Sequence, residues 1–280
     1  MRFKKSIIML VLAITVCFCS TTAFASTNGK LVVSGQTNKK ASINTEYKWK
    51  SKNGKYYCYQ GKKKLKNGIF TINNKKYYFD KNGVQRIGWR KIGKKCYFFN
   101  IKPAEKGYMI KGKTVDGVKI KKNGQATPKT TRARLKLPMM LKVQKIADSV
   151  LDWRLSKTKL LRKTFDFVNT HFQSSGSPNL GYSTENWDID YANSMINRNG
   201  GNCFGHAAIF GYLANALGYS NVMVQNDTGH AWVQIGDKWY DPSFERWYHV
   251  DSFAVSRALS GTGGRMNWAG QIVVSRNCDK

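Results

Sequence analysis

Acidic residues are scarce in this chain: 16 Asp and Glu stand against 47 Lys and Arg over 280 residues, a formal charge of +31. A polyanionic partner is the natural implication. Long apolar runs are missing as well, and no stretch reaches the roughly 18 residues needed to cross a bilayer as a helix. That excludes a membrane-spanning helix. Cysteine is sparse, six in the whole chain, which excludes a scaffold held together mainly by disulfides. The chain is nevertheless 41% hydrophobic and 13% aromatic, too much apolar area for a disordered polycation. Its length suits one large domain or two modest ones.

Residues 1–25 have the layout of a secretory signal peptide: Arg2, Lys4 and Lys5, an apolar run from Ile7 to about Cys19, then Ala23-Phe24-Ala25. The mature protein is expected to start near Ser26 and to be secreted. Cys17 and Cys19 leave with the signal, so Cys58, Cys96, Cys203 and Cys278 remain. Disulfides are permitted outside the cell, but four unevenly spread thiols do not specify a pairing.

The positive charge is regional. It nets +22 over residues 30–126, +8 over 127–169 and −2 over 170–280. The front half therefore carries the electrostatic task, and the back half does something that needs near-neutrality. The front half also repeats. Tyr77-Tyr78-Phe79 returns as Tyr97-Phe98-Phe99 after 20 residues, and Tyr56-Tyr57-Cys58-Tyr59 precedes both. A second aromatic series, Trp49, Phe70, Trp89 and Tyr108, is spaced by 21, 19 and 19. Turn signals such as Lys52-Asn53-Gly54-Lys55 and Ile72-Asn73-Asn74-Lys75 precede the aromatic strands, predicting short hairpins stacked along an axis. A lone hairpin is marginal in water, so stacking must supply the core.

Over residues 46–126 this pattern resembles the choline-binding-type cell-wall-binding repeats of secreted bacterial proteins. The resemblance implies an all-β hairpin solenoid in which Trp49, Phe70, Trp89 and Tyr108 would bind wall polymer, since aromatic faces hold quaternary ammonium groups well. Two of these four positions are not Trp, and the +22 surroundings would repel a cation. Anionic wall polymer such as teichoic acid is therefore favoured over choline-like groups. Export argues against a nucleic acid partner.

Beyond a basic linker at 127–137, apolar residues recur at helical spacing: Met140, Val143, Ile146 and Val150, then Leu160, Leu161, Phe165, Val168 and Phe172. Two helices are predicted, the second capped by Ser156 or Thr158 and ended by Ser174-Ser175-Gly176-Ser177-Pro178. An Asn/Gly-rich loop, 197–202, leads into Cys203, after which Ala207, Phe210, Ala214 and Leu217 share a helical face. Cys203 would then sit in a first helical turn, where free amide N–H groups and the helix dipole favour a thiolate. Small Ala207, Ala208, Gly211 and Ala214 would let neighbouring elements approach that helix closely.

Downstream, Val222-Met223-Val224, Gly229-His230-Ala231-Trp232-Val233-Gln234-Ile235 and Lys238-Trp239-Tyr240-Asp241-Pro242 read as three strands, with a two-residue turn at Gly236-Asp237. In such a hairpin Ile235 opposes Lys238, and His230 comes diagonally beside Asp241 on one face. Nucleophile, base and orienting carboxylate would then be Cys203, His230 and Asp241. A zinc site from Cys203, His206 and His230 or His249 lacks the second Cys pair that would support it.

The pattern G-x-C-x-G-H-A-A…A-L-G…G-H-A-W-V…W-Y-D-P resembles the transglutaminase-like superfamily, of papain-like fold. The resemblance implies a domain at 138–280 in which Cys203 is the nucleophile, His230 the general base and Asp241 its orienting partner, without metal or cofactor. Trp187, Asn186 and Asn202 are candidate oxyanion donors. The expected fold class is α+β: a papain-like, transglutaminase-like core preceded by an all-β hairpin-repeat solenoid. The expected function is a secreted, wall-associated cysteine enzyme acting on peptide or protein amides, as peptidase, amidase or cross-linker. The alternative is a non-catalytic wall-binding or adhesive protein whose transglutaminase-like domain is inactive.

Overall fold

The computed structural model describes residues 46–176, 180, 185–226, 229–256 and 271–274, the last four by backbone alone. The expected signal peptide (1–25), Ser177, Pro178 and Cys278 lie outside the described residues.

Turn chemistry builds the front half. Strands β1 (Tyr47–Lys52) and β2 (Lys55–Gln60) meet across Asn53-Gly54, β4 (Gly68–Ile72) and β5 (Lys75–Phe79) across Asn73-Asn74, and β7 (Gly88–Ile92) and β8 (Lys95–Phe99) across Gly93-Lys94. Both residues of the first two turns have positive φ, from 46° to 65°, the geometry whose twist matches that of paired strands. Short strands β3 (Lys63–Lys64) and β6 (Gln85–Arg86) extend the first two sheets. After a 3-10 turn at Ala104–Lys106, strands β9 (Thr114–Val115), β10 (Val118–Ile120) and β11 (Ala126–Thr127) form a further antiparallel sheet.

Between the first two hairpins lies a small core of Cys58, Leu65, Ile72, Tyr77 and Phe79, against which Trp49, Phe70 and Tyr108 pack. The third hairpin goes elsewhere. Trp89 and Phe98 join the main core beneath α1 (Thr131–Val150). A Cβ on Gly88 would overlap the Gln144 side chain of that helix, and the Gln144 carbonyl oxygen accepts the Trp89 backbone N–H at 3.3 Å. Arg90 donates twice to Asp148 of α1, at 2.6 and 2.7 Å.

This corrects the expected linker at 127–137. Residues 131–137 are the first two turns of α1, capped by the Thr130 hydroxyl, which accepts from Ala133 N–H at 3.1 Å. Pro138 lies inside the helix rather than at its start.

In the back half, α2 (Lys157–His171) is capped by Ser156 as predicted. It ends at Phe172, ahead of β12 (Gln173–Ser174), which pairs in parallel with β13 (Gly200–Gly201). Helices α3 (Trp187–Arg198) and α4 (Cys203–Ala216) follow, then β14 (Val222–Asn226), β15 (Ala231–Ile235), β16 (Lys238–Tyr240), α5 (Pro242–Tyr248) and β17 (Gln271–Val274). The sheet order is β16-β15-β14-β17, antiparallel throughout. Helix α4 is buried along its whole length. Arg132 of α1 forks onto Asp188 of α3 at 2.7 and 3.0 Å, and the Tyr212 hydroxyl of α4 donates to the same carboxylate at 2.6 Å. The α+β expectation thus takes the form of hairpin sheets followed by helices on a four-stranded sheet.

Candidate active site

The loop ahead of α4 is shaped by what glycine allows. Asn199 closes α3 in the left-handed region at φ 54°. A Cβ on Gly200 would sit 2.6 Å from the Gln173 carbonyl oxygen, so the chain can pass β12 only without a side chain there. Asn202 then caps α4, its side-chain oxygen accepting from Gly205 N–H at 3.3 Å. This delivers Cys203 to the first position of the helix, 5% exposed, its sulfur 3.9 Å from the Gly229 carbonyl oxygen. Close approach of the sheet is also met, since a Cβ on Gly211 would press on Val224 of β14.

His230 immediately precedes β15, and Asp241 immediately follows β16. The register is the one read from the turn, with Ile235 opposite Lys238 and Val233 opposite Tyr240. His230 Nε2 lies 2.6 Å from Asp241 Oδ2, which leaves Nδ1 for the sulfur. His230 is also hydrogen-bonded to Cys203. Burial opposes charge on the imidazole, yet the Asp241 carboxylate, then Cys203, outweigh it and push the His230 pKa up to about 10. With that pKa the ring carries a proton on both nitrogens at neutral pH.

Asp241 is fully committed. Its Oδ1 accepts from Phe244 N–H and from the Ser243 hydroxyl, both at 3.0 Å, so one carboxyl oxygen caps α5 while the other holds His230. Its backbone N–H donates to the Ser252 carbonyl at 3.1 Å, and the Ser252 hydroxyl donates to the Asp241 carbonyl at 2.6 Å. The sequence reading missed Ser243 and Ser252. Asp followed by Pro is a helix-start signature that could have exposed the capping role; Ser252, 11 residues on in irregular chain, gave no signal.

Other predicted residues distribute as follows. Asn202 is occupied as a cap, the Asn186 side-chain oxygen accepts from Arg132 at 3.2 Å, and the buried Trp187 indole N–H has no acceptor among the described residues. His206 is buried with Nδ1 2.9 Å from the Asn202 carbonyl oxygen, and burial lowers its pKa. His249 closes α5 at φ 55°. Trp247 and Tyr248 of α5 stand 45% and 63% exposed, with the Trp247 ring 6.4 Å from that of His230.

The aromatic series of the front half is not brought together as one binding row. Trp89 is 1% exposed, and its indole N–H donates to Asp116 at 2.7 Å. That corrects its assignment to wall polymer, because the ring is core. Trp49 packs on Tyr77 and Phe79, with centroids 5.1 and 5.8 Å apart, and Phe70 packs on Phe79 at 6.0 Å. Tyr108 carries the Lys75 ammonium over its ring, 4.6 Å from the centroid.

Residues 66–102 match the family model of the choline-binding repeat. No curated protein matches the chain. Among solved structures, a choline-binding domain from Streptococcus pneumoniae is 28% identical over 28% of this chain and 92% of that one, with a TM-score of 0.25. The pneumococcal cell wall endolysin of phage Cp-1, solved with choline, is 22% identical over 30% of this chain and 25% of its own, with a TM-score of 0.26. CbpJ of Streptococcus pneumoniae is 22% identical, and the match spans 26% of its length. The first-listed similarities thus span 28% to 30% of this chain and about a quarter of the larger neighbours.

Proposed function

We propose that this protein is a cell-wall-associated cysteine enzyme that transfers acyl groups from amide bonds, with its front repeats holding it to wall polymer and a transglutaminase-like, papain-like back half doing the chemistry. One observation carries the catalytic part: His230 bridges Cys203 at the start of α4 and Asp241 at the start of α5, 2.6 Å from the latter. Wall binding is supported by the choline-binding repeat match at 66–102.

In this reading the Cys203 sulfur, at the first position of α4, attacks an amide carbonyl carbon. As the C–N bond breaks, the His230 imidazolium gives its proton to the departing amine. Water or a second amine then attacks the thioester, His230 takes up the proton, and the thiolate leaves. Asp241 fixes the ring through Nε2 and stabilises its positive charge. Incubation with peptidoglycan peptides, and with a glutamine-containing protein plus a labelled primary amine, tests the reading. Ammonia release or amine incorporation is expected and should vanish in Cys203→Ala while retention on walls persists.

The second reading, a non-catalytic wall-binding or adhesive protein, is favoured by the reach of the family match, which stops within the repeats. It becomes the better account if no amide is consumed and iodoacetamide labels Cys203 no faster than Cys96, whose thiol burial pushes up.

A further inference from the structure

Three exposed lysines from separate elements converge on one cleft between the third hairpin and α1: Lys81 from the turn after β5, Lys91 from β7 and Lys145 from α1. The cleft has a volume of about 400 Å³, at the lower end of what a small-molecule site offers. Two arginines also line it, but they are already matched. Arg90 forks onto Asp148 at 2.6 and 2.7 Å, while Arg86 lies 2.7 Å from Asp80 and 3.6 Å from Asp148. Arginine and aspartate charges therefore cancel within the wall, and the three lysines give the opening its sign. Tyr78 and Leu141 supply apolar surface beside them. On α1, Leu141, Lys145 and Asp148 share a face by their spacing of four and three.

We infer that this cleft binds an anionic segment of wall polymer, its charge carried on phosphodiester or carboxylate oxygens beside a sugar or polyol. The inference rests on the wall-binding part of the function proposed above and adds a ligand class and a place. Cations around the opening raise the local concentration of an anion and disfavour a quaternary ammonium. The aromatic positions point the same way: Trp89 is core, and the face of Tyr108 already carries a lysine ammonium. The Tyr57 and Tyr59 rings likewise have Lys64 and Lys50 over them, at 5.4 and 5.1 Å.

The test compares the full chain with two variants of equal charge: Lys81→Gln, Lys91→Gln and Lys145→Gln together, and Lys52→Gln, Lys62→Gln and Lys94→Gln together. All six side chains are exposed, and thermal unfolding verifies that both variants fold. Binding to polyglycerol phosphate should weaken about tenfold or more in the cleft variant and clearly less in the distributed one. A muropeptide carrying free carboxylates, assayed in parallel, tells the carboxylate source from the phosphodiester. Equal losses in the two variants, or no binding of either probe by the unaltered chain, overturn the cleft. Retention of the unaltered chain on purified walls is read separately: if it persists while the cleft fails, the wall-binding reading survives, and if it is absent, that reading falls too.

Discussion

His230 is where residue-scale chemistry concentrates. Its pKa, raised from 6.5 to about 10 against the pull of burial, depends first on Asp241 and then on Cys203. The sign follows from linkage. A folded-state pKa above the unfolded one contributes stability that is fully present below about 6.5 and lost as pH rises through about 10. For catalysis, the proton donor for the departing amine should likewise disappear near pH 10. Asp241→Asn removes the main stabiliser of the imidazolium, so the alkaline limb of activity should move to lower pH. The pH dependence of amide turnover by the variant, compared with the unaltered enzyme, checks this, and an unmoved limb would count against Asp241 as the orienting group. These contacts were legible in the sequence because strand alternation and a two-residue turn fix which side chains meet. Ser252 was not, since no periodicity links irregular chain at 252 to position 241.

At the scale of elements, α4 presents the sulfur, and its start depends on Asn202. Replacing Asn202 with Ala should cost about 1 kcal/mol, read as a lowered urea midpoint with unchanged slope, and should slow iodoacetamide labelling of Cys203 as the first turn frays. Unchanged labelling would mean that the loop alone holds the cysteine. The loop was readable as an Asn/Gly run, but Asn202 was expected as an oxyanion donor and serves instead as the cap. The start of α1 was not readable. Pro138 looks like a first helical residue, and the preceding Arg132, Arg134 and Lys136 conceal the face that Ala133 and Leu137 bury. Thr130 was the available signal, a hydroxyl residue three before the amide it caps.

For the whole molecule, the charge boundary in the sequence is not the boundary of packing. Trp89, Phe98, Val118 and Ile120 from the repeats share one core with Met140, Phe210 and Val224. The third hairpin and the helical half should therefore unfold together. Trp89→Ala should cost about 3–5 kcal/mol and lower one cooperative transition that aromatic fluorescence and Cys203 protection report at the same temperature. Separate transitions would restore an independent repeat module. Glycine-turn hairpins were visible from their period of about 20; the diversion of the third into the main core depends on Asp116, 27 residues away from the indole it binds, and on Gln144, which no repeat pattern reveals. Retention on purified walls should fall steeply between about 0.05 and 0.5 M salt, as expected for exposed lysines screened at those strengths, and salt-insensitive retention would transfer the weight to the aromatic rings.

Because every residue of α4, Cys203 included, is enclosed by its neighbours, the helix is a sheathed rod, and reagents must squeeze between closely packed elements to reach its sulfur. Compact electrophiles should outpace bulky ones at Cys203 by far more than they do at Cys96, a ratio measurable with iodoacetamide and a dye-linked maleimide. By the same geometry, an amide buried in a folded substrate would have to unravel locally before the thiol could touch it.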